Sequence, residues 1–574
     1  MPTPLGALPG LLHGWHGLLS AYAAVQLPLA AGLMRARAPL GRWLCSPLYA
    51  APLTVAAGAG IAALTPLLGA LGAPAGGALE LTVAATLCGA LGYHAGRSLS
   101  LPRAQSAATL QRGALVVDAP DQTRAAGRRC AHGRASGVTL AGLPVTLDDE
   151  VKHFKLIGAT GSGKSTAIRE LLGAALARGD RAVIADPDGG YLRHFYQPRR
   201  GDVILNPFEA QAARWDLFGE IGSDYDVDQL ARSLIPDHEG ADRSWRGYAR
   251  TFFSAVTSQA HAAGSRDVRE LYRLLVMAGT AELKTLVAGT PAQPFLEDHN
   301  GRMFDSIRSV TSSAVAALDY VSRQRGAPLS VREWVRGPQE SRGSPHGVLF
   351  MPYRATQIAA LRSTISAWMR LAIFEAMNGA EGGRQRLWLV VDELDALGQI
   401  DGLKDALARL RKFGGRCVLG FQSIAQVSST YGSGEAQTLV ENCGTTLILR
   451  SSGSEHGGTS RFASRLIGER EVVRVSSSRS RRATELLPAV TRGEQLCIEP
   501  AVLASEIEQL PDLAGYLKLA SSPAWLRVRL TPGAAPRPAA AAAWNAADLP
   551  AAEPAPRYGP QRPTDLGRDG AELF

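Results

Sequence analysis

The run Phe-Lys-Leu-Ile-Gly-Ala-Thr-Gly-Ser-Gly-Lys-Ser-Thr, from Phe154 to Thr166, constrains this chain more than any other stretch. From Gly158 to Ser165 it fits the pattern G-x-x-x-x-G-K-[ST]. A short apolar strand precedes it and a helix-patterned segment, Thr166 to Arg178, follows. In that setting the backbone of Gly158, Ala159, Thr160, Gly161, Ser162 and Gly163 turns its N–H groups inward around phosphates. Lys164 adds a point charge on the β- and γ-phosphates, and the Ser165 hydroxyl ligates Mg2+. The helix that opens at Ser165 and Thr166 presents its positive dipole end to the same anion. The stretch reads as a nucleotide site.

A chain of 574 residues should hold more than one domain. Its net charge of +9 and pI near 9.4 permit anionic partners, DNA or inner-leaflet lipid, without demonstrating them. The six cysteines (Cys45, Cys88, Cys130, Cys417, Cys443, Cys497) are scattered, with no C-x-x-C pair. That argues against a zinc site or disulfide framework and suits a reducing compartment.

Residues 1–103 read as a membrane region. Leu48 to Leu71 carries no charge and is long enough to cross a bilayer, which needs about 20 residues. A second apolar segment at 79–96 follows a Gly-Ala-Pro-Ala-Gly-Gly break. Arg35, Arg37 and Arg42 precede this hairpin and Arg97 and Arg103 follow it, which puts both flanks in the cytoplasm by the positive-inside rule. An extra segment at 18–34, with Gln26 and Pro28, either spans, lies in the interface or packs against the hairpin. Residues 104–136 form a basic linker that either touches lipid headgroups or is simply solvated.

Residues 137–224 read as the first part of a nucleotide-binding domain. After the loop helix, Gly179 is a natural stop and Arg181 to Asp186 is the next strand, so strand, helix and strand make a right-handed parallel crossover. Asp186 and Asp188 either meet the nucleotide or cap the Asp-Pro-Asp-Gly-Gly turn. From 225 to 330 the pattern changes to amphipathic helices, among them Trp245–Ala263 and Met303–Tyr320. The block is too long for a loop and reads as an inserted all-α domain. The sheet resumes in 331–530. There Leu387-Trp-Leu-Val-Val391 is a strand buried on both faces that ends in Asp392 and Glu393. Asp392 is placed to hold Mg2+ through water with Ser165, and Glu393 to polarise the attacking water. The neighbouring strand, Cys417 to Phe421, ends at Gln422. That amide either contacts the γ-phosphate or the lytic water, or lies in a solvated turn. Arg409, Arg411 and Lys412 lie just before it; in a ring of subunits one of them can reach a neighbour's γ-phosphate, and otherwise they are surface cations. The Pro/Ala-rich tail at 531–574 is expected to be disordered.

These pieces resemble the type IV coupling proteins of conjugation and type IV secretion, the TraD/TraG/TrwB group. The resemblance rests on Gly158 to Ser165, Ile204-Leu-Asn-Pro207 with Trp215-Asp216, Val390-Val-Asp-Glu393, Phe413 to Gln426 with Tyr431-Gly432, and Glu506 to Leu517. It implies an α/β, RecA-like P-loop NTPase domain with an inserted all-α domain, preceded by N-terminal transmembrane helices, in a homo-hexamer at the bacterial inner membrane. It also implies ATP and Mg2+ as cofactors, with Gln422 as sensor and Arg411 as the arginine finger. Its partners would be single- or double-stranded DNA bound without sequence preference, a relaxase in its relaxosome, and channel components. Members of the group have a longer periplasmic loop than the short break seen here. The rival readings are an FtsK/HerA-like DNA translocase outside conjugation and a nucleotide-binding membrane docking adaptor that does not hydrolyse. The residues alone show no compact basic helix or stacking platform, so DNA is expected from the resemblance.

Overall fold

The computed structural model describes residues 15–36, 38, 40–70, 77–99, 109–118, 135–237, 242–337, 347–379, 386–454, 458–480 and 489–532. The break before residue 77, most of the 104–136 linker and the tail beyond 532 lie outside the described residues. The chain divides into two compact units, 1–111 with 471–497 and 112–470 with 498–574.

The first unit holds long helices at Trp15–Arg35, Ser46–Ala70 and Ala78–Leu99. The first and third cross closely. A Cβ on Gly92 would strike the Val25 carbonyl, one on Gly96 that of Leu29, and one on Gly32 that of Tyr93. Glycines four residues apart let two helix backbones approach in this way. Gln26 Nε2 donates to Ser46 Oγ at 2.8 Å, which ties the first helix to the second. Among the described residues two helical segments are long and apolar enough to cross a membrane, Gly17–Arg35 and Ser46–Ala70. The segment expected to be the optional one thus meets both criteria. The helix Ala78–Leu99, with Glu80 in its first turn and Arg97 in its last, is not among them.

Ten strands form the central sheet of the second unit: β1 (Val116–Asp118), β2 (Phe154–Ile157), β3 (Arg181–Pro187), β4 (Val203–Ile204), β5 (Val348–Tyr353), β6 (Leu387–Val391), β7 (Gly415–Phe421), β8 (Thr445–Leu449), β9 (Ala514–Lys518) and β10 (Trp525–Arg529). Their spatial order is β1-β10-β9-β8-β2-β7-β6-β3-β5-β4. All pairs from β8 to β4 are parallel, while β9 and β10 add an antiparallel hairpin at one side. β6 is buried at all five positions because both faces are covered. On one face Trp388 and Val390 pack with Ile168 and Leu171 of the helix Lys164–Ala177. On the other, Leu389 and Val391 pack with Ile365, Trp368 and Met369 of the helix Ile358–Ala376. Strand alternation sends successive side chains to opposite layers.

The inserted helices run from Asp224–Leu234 to Ala317–Ser322. The helix expected over Met303–Tyr320 is two, Gly301–Ala314 and Ala317–Ser322, with a break at Val315 and Ala316. The chain leaves through Arg214–Trp215 and returns through Pro328–Leu329, and these two short strands pair in parallel. Buried Glu220 locks the neck. Its carboxylate accepts Trp215 Nε1 at 2.9 Å, Ser330 Oγ at 3.0 Å and the Val331 amide at 2.6 Å. Phe252, Leu271 and Phe304 of the insertion share one apolar cluster with Trp368, Leu389 and Val391 beneath the sheet.

Candidate functional site

The site forms where the C-terminal ends of β2, β6 and β7 meet, the edge of an open α/β sheet at which ligands bind. Gly158 leaves β2 with its amide on Phe421 O at 3.3 Å, and Ala159 N donates to Arg450 O at 2.7 Å. Gly161 and Gly163 take positive φ, 76° and 120°, which turns the loop back onto the helix at Lys164. A Cβ on Gly163 would also stand 2.9 Å from Leu513 Cδ2. No side chain caps that helix, so the amides of Lys164, Ser165 and Thr166 remain the orphan donors of its first turn.

Lys164 is buried and its Nζ donates to Gly158 O at 2.7 Å. Burial pushes its pKa below the ordinary lysine value, while Asp392, Glu393 and Asp395 pull the other way. Ser165 Oγ donates to Asp392 Oδ2 at 2.6 Å. Gln422 joins the remaining pieces: its Oε1 accepts Thr160 Oγ1 at 2.7 Å and its Nε2 donates to Glu393 Oε1 at 3.1 Å. Burial first, then Asp392 and Asp395, raise the Glu393 carboxyl above the usual range, which suits a proton acceptor. Gly420 is required beside these groups, since a Cβ there would stand 2.9 Å from Asp392 Oδ1.

The structure therefore brings the loop residues Gly158 to Thr166 together with Asp392, Glu393 and Gln422. Arg411 is not among them. It is exposed in the 3-10 turn Leu410–Phe413, before the start of β7, whereas Gln422 follows that strand's other end; Arg409 and Lys412 are exposed beside it. Asp186 caps its turn: Oδ1 and Oδ2 accept the amides of Tyr191 and Leu192 at 3.0 and 2.7 Å, and burial lifts its pKa to about 7. Two features had no signal in the sequence. One is the Thr160–Gln422 contact between residues far apart in the chain. The other is Tyr191, whose hydroxyl donates to Asp392 Oδ2 at 2.6 Å.

Ser165 and Asp392 offer hard oxygen donors of the kind Mg2+ takes. Asp392 Oδ1 is buried and has no hydrogen-bond partner, an acceptor that a metal-bound water would satisfy. Among the described residues no group of three or more His, Cys, Asp or Glu gathers to hold a metal unaided. Phosphate oxygens and water must complete any coordination here, and the residues present fit that arrangement.

A phosphate loop, a helix N-terminus and two carboxylates at the end of the strand beside β7 define a P-loop nucleotide-binding domain. A family model described as type IV secretion-system coupling protein DNA-binding domain matches residues 137–531. Coupling protein TraD of Escherichia coli (strain K12) is 33% identical over 389 residues, covering 67% of this chain and 53% of TraD. The chain thus spans about half the length of that relative. VirD4, the type IV secretion system-coupling protein of Bartonella henselae, is 26% identical over 199 residues, 33% of this chain and 30% of the relative. Among solved structures, plasmid coupling protein TrwB in complex with ADP and Mg2+ superposes with a TM-score of 0.65 at 31% identity, covering 75% of this chain and 96% of TrwB. TrwB with the ATP analogue ADPNP gives 0.64 at 30% identity, covering 74% and 95%. The chain belongs to the type IV secretion-system coupling protein family, and its fold is the RecA-like α/β domain with an inserted all-α domain.

Proposed function

We propose that this chain is a membrane-anchored ATPase that couples DNA, or a protein substrate, to a type IV secretion channel. The observation that carries the reading is the run of hydrogen bonds Thr160–Gln422–Glu393 lying beside the Ser165–Asp392 pair. It links the phosphate loop to a carboxylate whose pKa burial raises, an arrangement that supports hydrolysis as well as binding. The complexes of the related TrwB with ADP and Mg2+ and with ADPNP support ATP and Mg2+ as the ligands.

In this mechanism the loop amides and Lys164 hold the β- and γ-phosphates, and Ser165 with Asp392 would hold Mg2+. Held by those two residues, such an ion would supply positive charge against the negative charge of the phosphates. Glu393 accepts the proton of the attacking water. Gln422, bonded to both Thr160 and Glu393, senses whether a γ-phosphate is present, because a phosphate oxygen competes for its amide. Arg411 acts on the neighbouring protomer's nucleotide in a homo-hexamer, since within its own chain it lies a strand's length from Glu393. The N-terminal helices anchor the motor as a multi-pass unit in the bacterial inner membrane, with the P-loop domain in the cytoplasm. DNA is gripped through its phosphates, hence without sequence preference and with strong salt dependence. The relaxosome and the channel components are the remaining partners.

The test is ATP turnover by the purified chain with and without DNA. DNA-stimulated hydrolysis is expected, falling at least about a hundredfold in Lys164→Ala and in Glu393→Gln. Rates unchanged in both variants would remove the site assignment, and nucleotide binding without turnover would favour the docking adaptor.

A further inference from the structure

The turn after β3 does more than reverse the chain. Asp188 and Gly189 both sit in the left-handed region, at φ 53° and 63°, and the Asp186 carboxylate pins the amides of Tyr191 and Leu192. This geometry carries Tyr191, 2% exposed, to Asp392 at the end of the adjacent β6. The phenol donates to the same oxygen, Oδ2, that takes the Ser165 hydroxyl, each at 2.6 Å. A phenylalanine would fill the same apolar space. Burying a hydroxyl is unfavourable unless an acceptor compensates it, and here the acceptor is the one carboxylate the phosphate loop also uses.

We propose that Tyr191 is a positioning residue for Asp392, holding Oδ2 jointly with Ser165 so that the carboxylate meets Mg2+ and nucleotide in a single rotamer. The inference rests on the nucleotide-site reading above and deepens it. The second torsion of an aspartate is soft and broad, so its carboxylate is set by its partners. Ser165 supplies one fixed point on Oδ2, and the Tyr191 hydroxyl a second, so two donors instead of one define the torsion. Asp186 then acts at one remove, by building the turn that delivers Tyr191. Outer partners of metal-holding groups typically contribute a factor of about 10 to 100 in metal affinity.

The experiment uses the full chain and mant-ATP fluorescence, with Mg2+ titrated over wild type and Tyr191→Phe. The Mg2+ midpoint should rise about tenfold or more in the variant, while mant-ATP affinity in EDTA stays the same. A general loss of packing would move both quantities together and would overturn the proposal, as would an unchanged midpoint. If mant-ATP does not bind the wild type at all, the nucleotide reading itself fails, and this proposal with it; binding without any Mg2+ dependence overturns this proposal alone. Asp186→Asn keeps the phenol but loosens its turn. It should shift the midpoint the same way by less, and decides the matter if the phenylalanine variant does not fold: no shift overturns the assignment.

Discussion

His153 shows how a single residue ties the sheet to pH. It lies just before β2, fully buried, with Nε2 2.9 Å from Leu407 O and Nδ1 accepting the Cys417 amide at 3.1 Å. Both bonds are made by the neutral ring with its proton on Nε2. Burial, reinforced by Arg416 and Arg411, lowers its pKa from 6.5 to about 4. The unfolded chain therefore binds a proton that the folded chain refuses between those values. The stability this residue supplies is complete above pH 6.5 and is lost as pH falls toward 4. From pH 7 to pH 5 the loss should be about 2 kcal/mol. Denaturant midpoints of wild type and His153→Gln at the two pH values would check this: over that interval wild type should lose about 2 kcal/mol more than the glutamine variant, the protonation of Asp186, which acts in the opposite direction, being common to both. An equal slope in both would assign the acid sensitivity elsewhere.

At the scale of elements, the neck of the insertion is held by Glu220 more than by its two short strands. Removing that carboxylate leaves Trp215 Nε1, Ser330 Oγ and the Val331 amide without their acceptor in a buried place. Glu220→Ala should cost about 3 kcal/mol or more, read as a fall in the thermal midpoint. A loss below about 1 kcal/mol would mean that water replaces the carboxylate. The elements around the site were legible in the sequence because their signals are local. The phosphate loop is a contiguous spacing, β6 is five apolar residues running into two carboxylates, and the inserted helices carry their own periodicity. What escaped is non-local. Tyr191 reaches Asp392 only because a left-handed turn delivers it, and Thr160 finds Gln422 only because β2 and β7 are neighbours. The β9–β10 hairpin escaped too, since five-residue strands with mixed polarity carry a weak pattern.

At the scale of the molecule, no separate interior divides the inserted helices from the sheet. Phe252 and Leu271 belong to the same cluster as Leu389 and Val391. Packed interiors transmit displacement instead of absorbing it. The helical insertion and the sheet should therefore lose their protection together. Native-state hydrogen exchange at Phe252 and at Val391 should report the same opening free energy. Exchange at Phe252 through a cheaper, local opening would show that the insertion unfolds by itself. The paired strands of the neck have another consequence. Because Arg214–Trp215 and Pro328–Leu329 run side by side, the polypeptide rejoins the layer at the address where it departed. A change in the length of the excursion between them therefore leaves the order of strands in the sheet unchanged, although the side chains of the lobe still press on the layer beneath it.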